Sequence, residues 1–469
     1  MSDGRLTLND EATDAATSTP ANVRWLVDLL VSADSAVEFA DGMHDAIAIG
    51  RLAPGTRLPT IRALSAESGL TFRAISEIWV VLRERGLVQT RRRGGTVVAA
   101  LPGTSAPAGT DHAASGHIDL SESSADVTLL PPLDEGVSAG LRAPDLHSSV
   151  RDYVIDDLRR AALPGWPFPV ESVTSGGSGA EAALLAVEAV TPIGGTVAID
   201  VPANPGFLGY LRRIGLIPYE VPSDGRGPDP ASLRRALEAG ASSYLFQAAG
   251  PWALDPLPDA TRLGELAAVL QDHPDVFVVE DDPVGPLADE PAPTLGPLVP
   301  GRVVRVRSFC RAYGVDLRTS ITGGPGEVIE RLRALRAHGL AVNSRILQGA
   351  LAHLLESPRT AVVVHAARDR YRTRKAGLAA ALQDLGVPAA SGPNGQFLWI
   401  PTSREADTLI DLAAAGVTAG AGSRSFVDTQ STGFVRLATM RAPDDPLAQG
   451  RIAGLVADAL HSRLGDRFA

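Results

Sequence analysis

Residues 50–100 read GRLAPGTRLPTIRALSAESGLTFRAISEIWVVLRERGLVQTRRRGGTVVAA, and this stretch decides how the front of the 469-residue chain folds. Thr60 stands where a helix cap belongs, ahead of Ile61 and Leu64, and Gly69 closes that short helix. A second helix follows, with Ile75, Ile78, Trp79 and Leu82 at i, i+3, i+4 and i+7, so one face is apolar; it stops at Gly86. LVQT and TVVAA then flank RRRGG, the pattern of a short hairpin with an arginine-loaded tip. Two helices with a glycine turn and a hairpin make a winged helix-turn-helix. Its second helix is expected in the major groove of duplex DNA, with Arg91, Arg92 and Arg93 on phosphate or in the minor groove.

Charge supports this reading. Residues 51–100 hold nine arginines against three acids, while the whole chain carries −11. A basic block on an acidic protein is the footprint of a nucleic-acid reader joined to a part with another task. No apolar run reaches the roughly 18 residues of a membrane span, and the first twenty residues lack the layout of a signal peptide. The single cysteine, Cys310, excludes an internal disulfide framework and fits a cytoplasmic protein. The nine histidines show no metal-ligand spacing, so no metal is expected.

Outward from the basic block, residues 1–20 are polar and aperiodic and are expected to be disordered. The DNA-binding domain is placed at 21–100 and a Gly/Pro/Ala-rich linker at 101–117. Beyond it, the strand-like runs TVAIDVP, SYLFQAA, VFVVEDD and RVVRVRSF alternate with the helix-like AEAALLAVEAV, PASLRRALEAG and DATRLGELAAVLQ. That alternation predicts an α/β domain with a mainly parallel sheet.

Residues 50–99 resemble the GntR-type winged helix, with GRLAPGTRLPTIRALSAESGLT close to that family's usual phrase. The resemblance implies Arg57, Arg62, Thr71, Phe72, Arg73, Glu77 and the three wing arginines as DNA-binding residues. Two positions depart from it: Phe72 and Glu77 stand where arginines are frequent. Glu77 would be repelled by phosphate but could accept from cytosine N4.

A reader of this kind followed by a long α/β domain resembles the MocR-type subfamily, whose second domain is similar to fold-type-I aminotransferases that use pyridoxal phosphate. The expected layout is a mainly parallel large domain at 118–345 and a smaller C-terminal α/β domain at 346–469. Several motifs carry the likeness. VTSGGSGAEAALL (173–185) matches the turn into a helix whose N-terminus receives the cofactor phosphate, implicating Ser178 and Gly179. NPGF offers Phe207 as the ring that stacks on the pyridine, and VVEDDP offers Asp281 for its nitrogen. Ser308 and Arg318 match the phosphate-holding serine and arginine of the lysine segment, and FVRLA places Arg436 where a substrate carboxylate is clamped.

The departures fall on one chemical function. Arg311 occupies the position of the Schiff-base lysine, and a guanidinium does not attack an aldehyde. Pro283 replaces an expected tyrosine, and AAGPWALDP (248–256) puts Trp252 at a usually small polar position. The only lysine of the chain, Lys375, falls in the long helical run ARDRYRTRKAGLAAAL, where it reads as a solvated residue. The expected function is a DNA-binding transcriptional regulator with a non-catalytic dimerisation or effector-sensing domain. The alternative is a working aminotransferase with a DNA-binding appendage. Implied partners are double-stranded DNA, an anionic small-molecule effector and a second copy in a head-to-tail homodimer, with no membrane. Any pyridoxal phosphate would be bound without a covalent link.

Overall fold

A computed structural model of the chain describes residues 23–33, 35, 36, 38–40, 42, 43, 56–91, 95–99, 117–143, 146–148, 153–337, 343–428 and 433–461. The expected disordered start (1–20), residues 101–116 of the expected linker (101–117) and the wing-tip residues Arg92 and Arg93 lie outside the described residues. The chain falls into two compact units, Met1–Asp111 and His112–Ala469.

In the first unit, α1 (Val23–Ser32), α2 (Ile61–Ser68) and α3 (Phe72–Glu84) precede a hairpin of β1 (Val88–Arg91) and β2 (Gly95–Val98). Sequence signals act here as expected. The Thr60 hydroxyl accepts from the Ala63 amide at 3.2 Å and caps α2, while the Thr71 hydroxyl does the same for α3 through Ala74. Gly69, at φ 73°, takes the left-handed conformation that ends α2 and turns the chain. Ile75, Ile78, Trp79 and Leu82 all point inward against Leu26, Leu30, Leu64 and Val98, closing a core beneath the exposed side of α3. Removing the Trp79 ring from such a core costs about 3–5 kcal/mol.

The second unit carries two sheets. Its elements run β3 (Ile118–Leu120), α4 (Asp134–Gly140), α5 (Asp156–Ala162), β4 (Ser172–Gly176), α6 (Gly179–Val190), β5 (Thr196–Val201), α7 (Pro205–Arg213), β6 (Ile217–Pro222), α8 (Pro230–Glu238), β7 (Ala241–Phe246), α9 (Ala260–Gln271) and β8 (Phe277–Asp282). They continue with β9 (Val303–Ser308), α10 (Cys310–Tyr313), β10 (Ser320–Gly324), α11 (Gly326–Arg336), α12 (Arg345–Glu356), α13 (Pro358–Asp384), β11 (Phe397–Pro401), α14 (Glu405–Ala414), β12 (Val417–Ala421), β13 (Phe434–Ala438) and α15 (Pro446–His461). The seven-stranded sheet has the order β4-β10-β9-β8-β7-β5-β6. β10 runs against both its neighbours, and the strands from β9 to β6 are parallel. Central strands such as β8 are buried on both faces, which explains their continuous apolar runs.

The smaller sheet has the order β11-β13-β12-β3. β3 pairs in parallel with β12, Val417 opposite Ile118. The chain therefore enters this unit through the smaller sheet, which corrects the expectation that residues from 118 onward build the larger one. A linear cut of the sequence misses this because β3 finds its partner some three hundred residues downstream. Among the described residues, no helix is long and apolar enough to cross a membrane.

Candidate functional site

The C-terminal ends of the parallel strands and the start of α6 bring most of the expected ligand residues together. Ser178 caps α6 with its hydroxyl accepting from the Glu181 amide at 3.1 Å, and its carbonyl accepts from the Ser320 hydroxyl. Gly179 faces Ser308 so closely that a Cβ would lie 2.5 Å from the serine Cβ, so only glycine fits. Arg318 holds a left-handed backbone (φ 41°, ψ 43°) and reaches Glu181 at 3.9 Å. Glu181 is a residue that sequence reasoning passed over. Its carboxylate sits beside the cationic group of a cup otherwise suited to phosphate.

Arg311, on α10, is half-buried and donates through Nη1 to the Ser123 carbonyl at 2.7 Å, the Ser123 hydroxyl at 3.2 Å and Gln396 Oε1 at 2.5 Å. Burial pushes its guanidinium down to about 10, which still leaves it a cation at neutral pH. Neither Ser123 nor Gln396 was singled out from sequence. Gln396 sits in the stretch GPNGQFLW (392–399), just ahead of β11, and Ser123 carries no local signal, being delivered by the turn that follows β3.

Asp281 lies at the end of β8, 5% exposed, and accepts from Gln247 Nε2 at 2.8 Å. Its other oxygen is buried without a hydrogen-bond partner, as is Gln247 Oε1. Burial pushes the Asp281 carboxyl up to about 7, against the opposing bond from Gln247 and the field of Arg311. No hydrogen bond joins Asp281 to Arg311, so that pair does not close the site. Nearby, Asp200 accepts from the Tyr244 hydroxyl at 2.5 Å and from the Gln247 amide at 2.7 Å, which fixes the Gln247 backbone.

Arg436, on β13, lies over the Phe397 ring with its guanidinium 4.9 Å from the centroid. Its Nε and Nη1 are buried without hydrogen-bond partners, and Nη2 reaches only the exposed carboxylate of Glu122, at 3.9 Å. Gly420 beneath it has no room for a side chain, since a Cβ would meet Arg436 Nε at 2.5 Å. Buried guanidinium donors without partners are of the kind that a carboxylate satisfies.

Phe207 differs from its expected role. α7 starts at Pro205 under an Asn204 cap, which turns Phe207 inward beside Leu208 and Leu211. At 2% exposure its ring is covered by core and offers no face for stacking. Trp252 packs on Phe397, ring centroids 5.6 Å apart and tilted by 33°, with its indole N–H unpartnered. Lys375 also departs from the reading of a solvated residue. Its ammonium donates to the carbonyls of Gly392, Pro393 and Gly395, and burial lowers its pKa.

These observations test the fit of pyridoxal phosphate. The unpartnered Asp281 oxygen suits a pyridinium. Covalent attachment does not fit, because Arg311 fills the lysine position and Lys375 is committed to three carbonyls.

The DNA side is simpler. Arg62, Phe72, Arg73 and Glu77 are all exposed, and Thr71 caps the recognition helix. Arg73 Nε donates to Glu77 Oε1 at 3.1 Å. Arg57 bridges to Val97 and lies against Gly95, at the root of the wing. Arg91 ends β1 and pairs with Gly95.

Comparison with known proteins agrees with both halves. Residues 37–98 match the bacterial regulatory proteins of the gntR family, and residues 144–443 match aminotransferase class I and II. The vitamin B6 salvage pathway transcriptional repressor PtsJ of Salmonella typhimurium is 27% identical over 423 residues, 88% of this chain and 96% of the relative. The HTH-type transcriptional regulator TauR of Rhodobacter capsulatus is 30% identical over 267 residues, 54% of this chain and 53% of the relative. Aspartate aminotransferase from Thermus thermophilus, solved with maleate, superposes with a TM-score of 0.62 at 21% identity, covering 73% of this chain and 92% of that one. A GntR-type winged helix followed by an aminotransferase domain, aligned end to end with a transcriptional repressor, settles the lineage: the chain belongs to the aminotransferase class I and II family in its MocR-type branch, the DNA-binding GntR regulators of transcription.

Proposed function

We propose that the aminotransferase-like unit of this regulator is a non-catalytic sensor, holding a small anionic effector without a covalent bond and passing its presence to the DNA reader. The observation that carries this is Arg311. At the one position where the fold needs a deprotonatable amine stands a half-buried cation tied to Ser123 and Gln396. The unsatisfied groups around it call for a ligand with two ends. A carboxylate would answer Arg436 Nε and Nη1, and a protonated nitrogen would answer the spare Asp281 oxygen. The serines and Arg318 at the start of α6 are suited to a phosphate, weakened by Glu181. Amino acids, dicarboxylates and unlinked pyridoxal phosphate share this chemistry. The relative PtsJ, whose name ties it to vitamin B6 salvage, adds weight to the last. The regulator works as a head-to-tail homodimer in the cytoplasm, on this reading.

Two measurements on the full-length protein test it. Borohydride reduction in the presence of pyridoxal phosphate, followed by peptide mass spectrometry, should leave Lys375 unmodified; an adduct there would restore the enzyme reading. A thermal-shift panel of maleate, aspartate, glutamate and pyridoxal phosphate should contain at least one stabilising compound, by RT ln(1 + [L]/Kd), and Arg436→Met should abolish that shift. If no member moves the wild-type melting point, the sensor reading fails and the unit is structural.

A further inference from the structure

We propose that the exposed face of α3 reads a thymine through the Phe72 ring and a flanking guanine through Arg73, with Glu77 holding that arginine in place. This rests on the DNA-binding assignment of the first unit and deepens it to particular base pairs. Phe72 opens the recognition helix and is 57% exposed, whereas Phe39 and Trp79 of the same unit are buried at 1% and 3%. The core of α3 is already supplied by Ile75, Ile78, Trp79 and Leu82, so this ring stabilises nothing inside the fold. The helical turn that carries it is nevertheless held. The Thr71 hydroxyl caps the first turn, and the Ser76 hydroxyl donates to the Phe72 carbonyl at 2.8 Å. The first residues of a recognition helix are those that meet base edges. Among the major-groove edges, the C5 methyl of thymine is the apolar group that a phenylalanine recognises.

The neighbouring pair completes the reader. Arg73 uses Nε on Glu77, which leaves its two terminal nitrogens as a fork on an 88% exposed side chain. That fork matches O6 and N7 of guanine. Glu77 is thus occupied by Arg73 and acts as a positioning residue, in place of the direct contact to cytosine N4 that its chemistry first offers. The pair also cancels a carboxylate that phosphates would otherwise repel.

The test starts from duplexes that the full-length protein selects from a randomised pool. Each thymine of the selected site is replaced by deoxyuridine, which removes only the methyl, and each guanine by 7-deazaguanine, which removes N7. One thymine per half-site should show a loss of about fourfold on deoxyuridine substitution, the worth of one buried methyl. Phe72→Ala should bind the thymine and deoxyuridine duplexes equally, and it should keep the wild-type melting point because the ring is exposed. Arg73→Ala should lose the 7-deazaguanine penalty. Glu77→Gln should raise affinity for all duplexes while lowering guanine discrimination, opposite movements that a merely structural role would not produce. A wild type indifferent to every methyl, or a Phe72→Ala protein that keeps the penalty, overturns the proposal. Recovery of no duplex at all would instead sink the DNA-binding assignment on which it rests.

Discussion

Arginine does opposite work in the two units. In the reader it is displayed: Arg62 and Arg73 stand in solvent, and the one pair that Arg73 makes is with an equally exposed partner. In the aminotransferase-like unit, several are enclosed. Arg305 is 2% exposed between Glu280 and Asp282, Arg374 joins Asp126 to Asp444, and Arg436 is 3% exposed over the Phe397 ring. An exposed arginine costs little to hold and is ready for phosphate. A buried one is sustained only by its partners, so its loss is felt as stability.

That contrast predicts a graded set of effects. The largest belongs to Arg305→Ala, which strands Glu280 and Asp282 in the interior; full-length protein should lose about 3–5 kcal/mol in chemical denaturation. A loss below about 1 kcal/mol would mean that water reaches the pair. Arg311→Ala removes a donor from Ser123 and Gln396 and should cost about 1–3 kcal/mol, without conferring transaminase activity. Restored turnover in Arg311→Lys would show that the site lost only its lysine.

Acid–base behaviour sharpens the comparison further. The Asp281 carboxyl is pushed up to about 7 by burial, so the folded protein binds its proton more tightly than the unfolded chain. Its contribution to stability is complete below about pH 4 and is lost as pH rises through 7. Asp281→Asn should flatten that part of the stability–pH curve, and an unchanged curve would assign the slope to Asp200, also raised to about 7. Smallest in stability terms is the display side. Changing Arg91, Arg92 and Arg93 together to alanine should leave the stability within about 0.5 kcal/mol of wild type. It should flatten the salt dependence of DNA binding by about 0.9 in log–log slope for each phosphate that the wing had neutralised; an unaltered slope would place the wing away from DNA.

Local signals carried far. The cap Thr60, the turn at Gly69, the apolar stripe of α3 and the buried runs of β5, β7, β8 and β9 are all legible in the sequence, because each depends on residues close along the chain. The loss of the lysine is legible from a single position. What the sequence does not disclose comes from distant partners: β3 joining β12, Ser123 and Gln396 meeting on Arg311, Lys375 sealing a loop, and Glu181 entering the phosphate cup. The enclosure of Phe207 at 2% exposure likewise depends on core residues distant along the chain.

β3 also bears on the site. The chain leaves the reader, joins the edge of the smaller sheet at Ile118, and within the next few residues places Glu122 beside Arg436 and Ser123 on Arg311. One short span of backbone thus meets both arginines: Ser123 accepts from Arg311 at 2.7 Å, and Glu122 lies 3.9 Å from Arg436, so an effector carboxylate seated on Arg436, as proposed, competes with a residue that directly follows the entry strand.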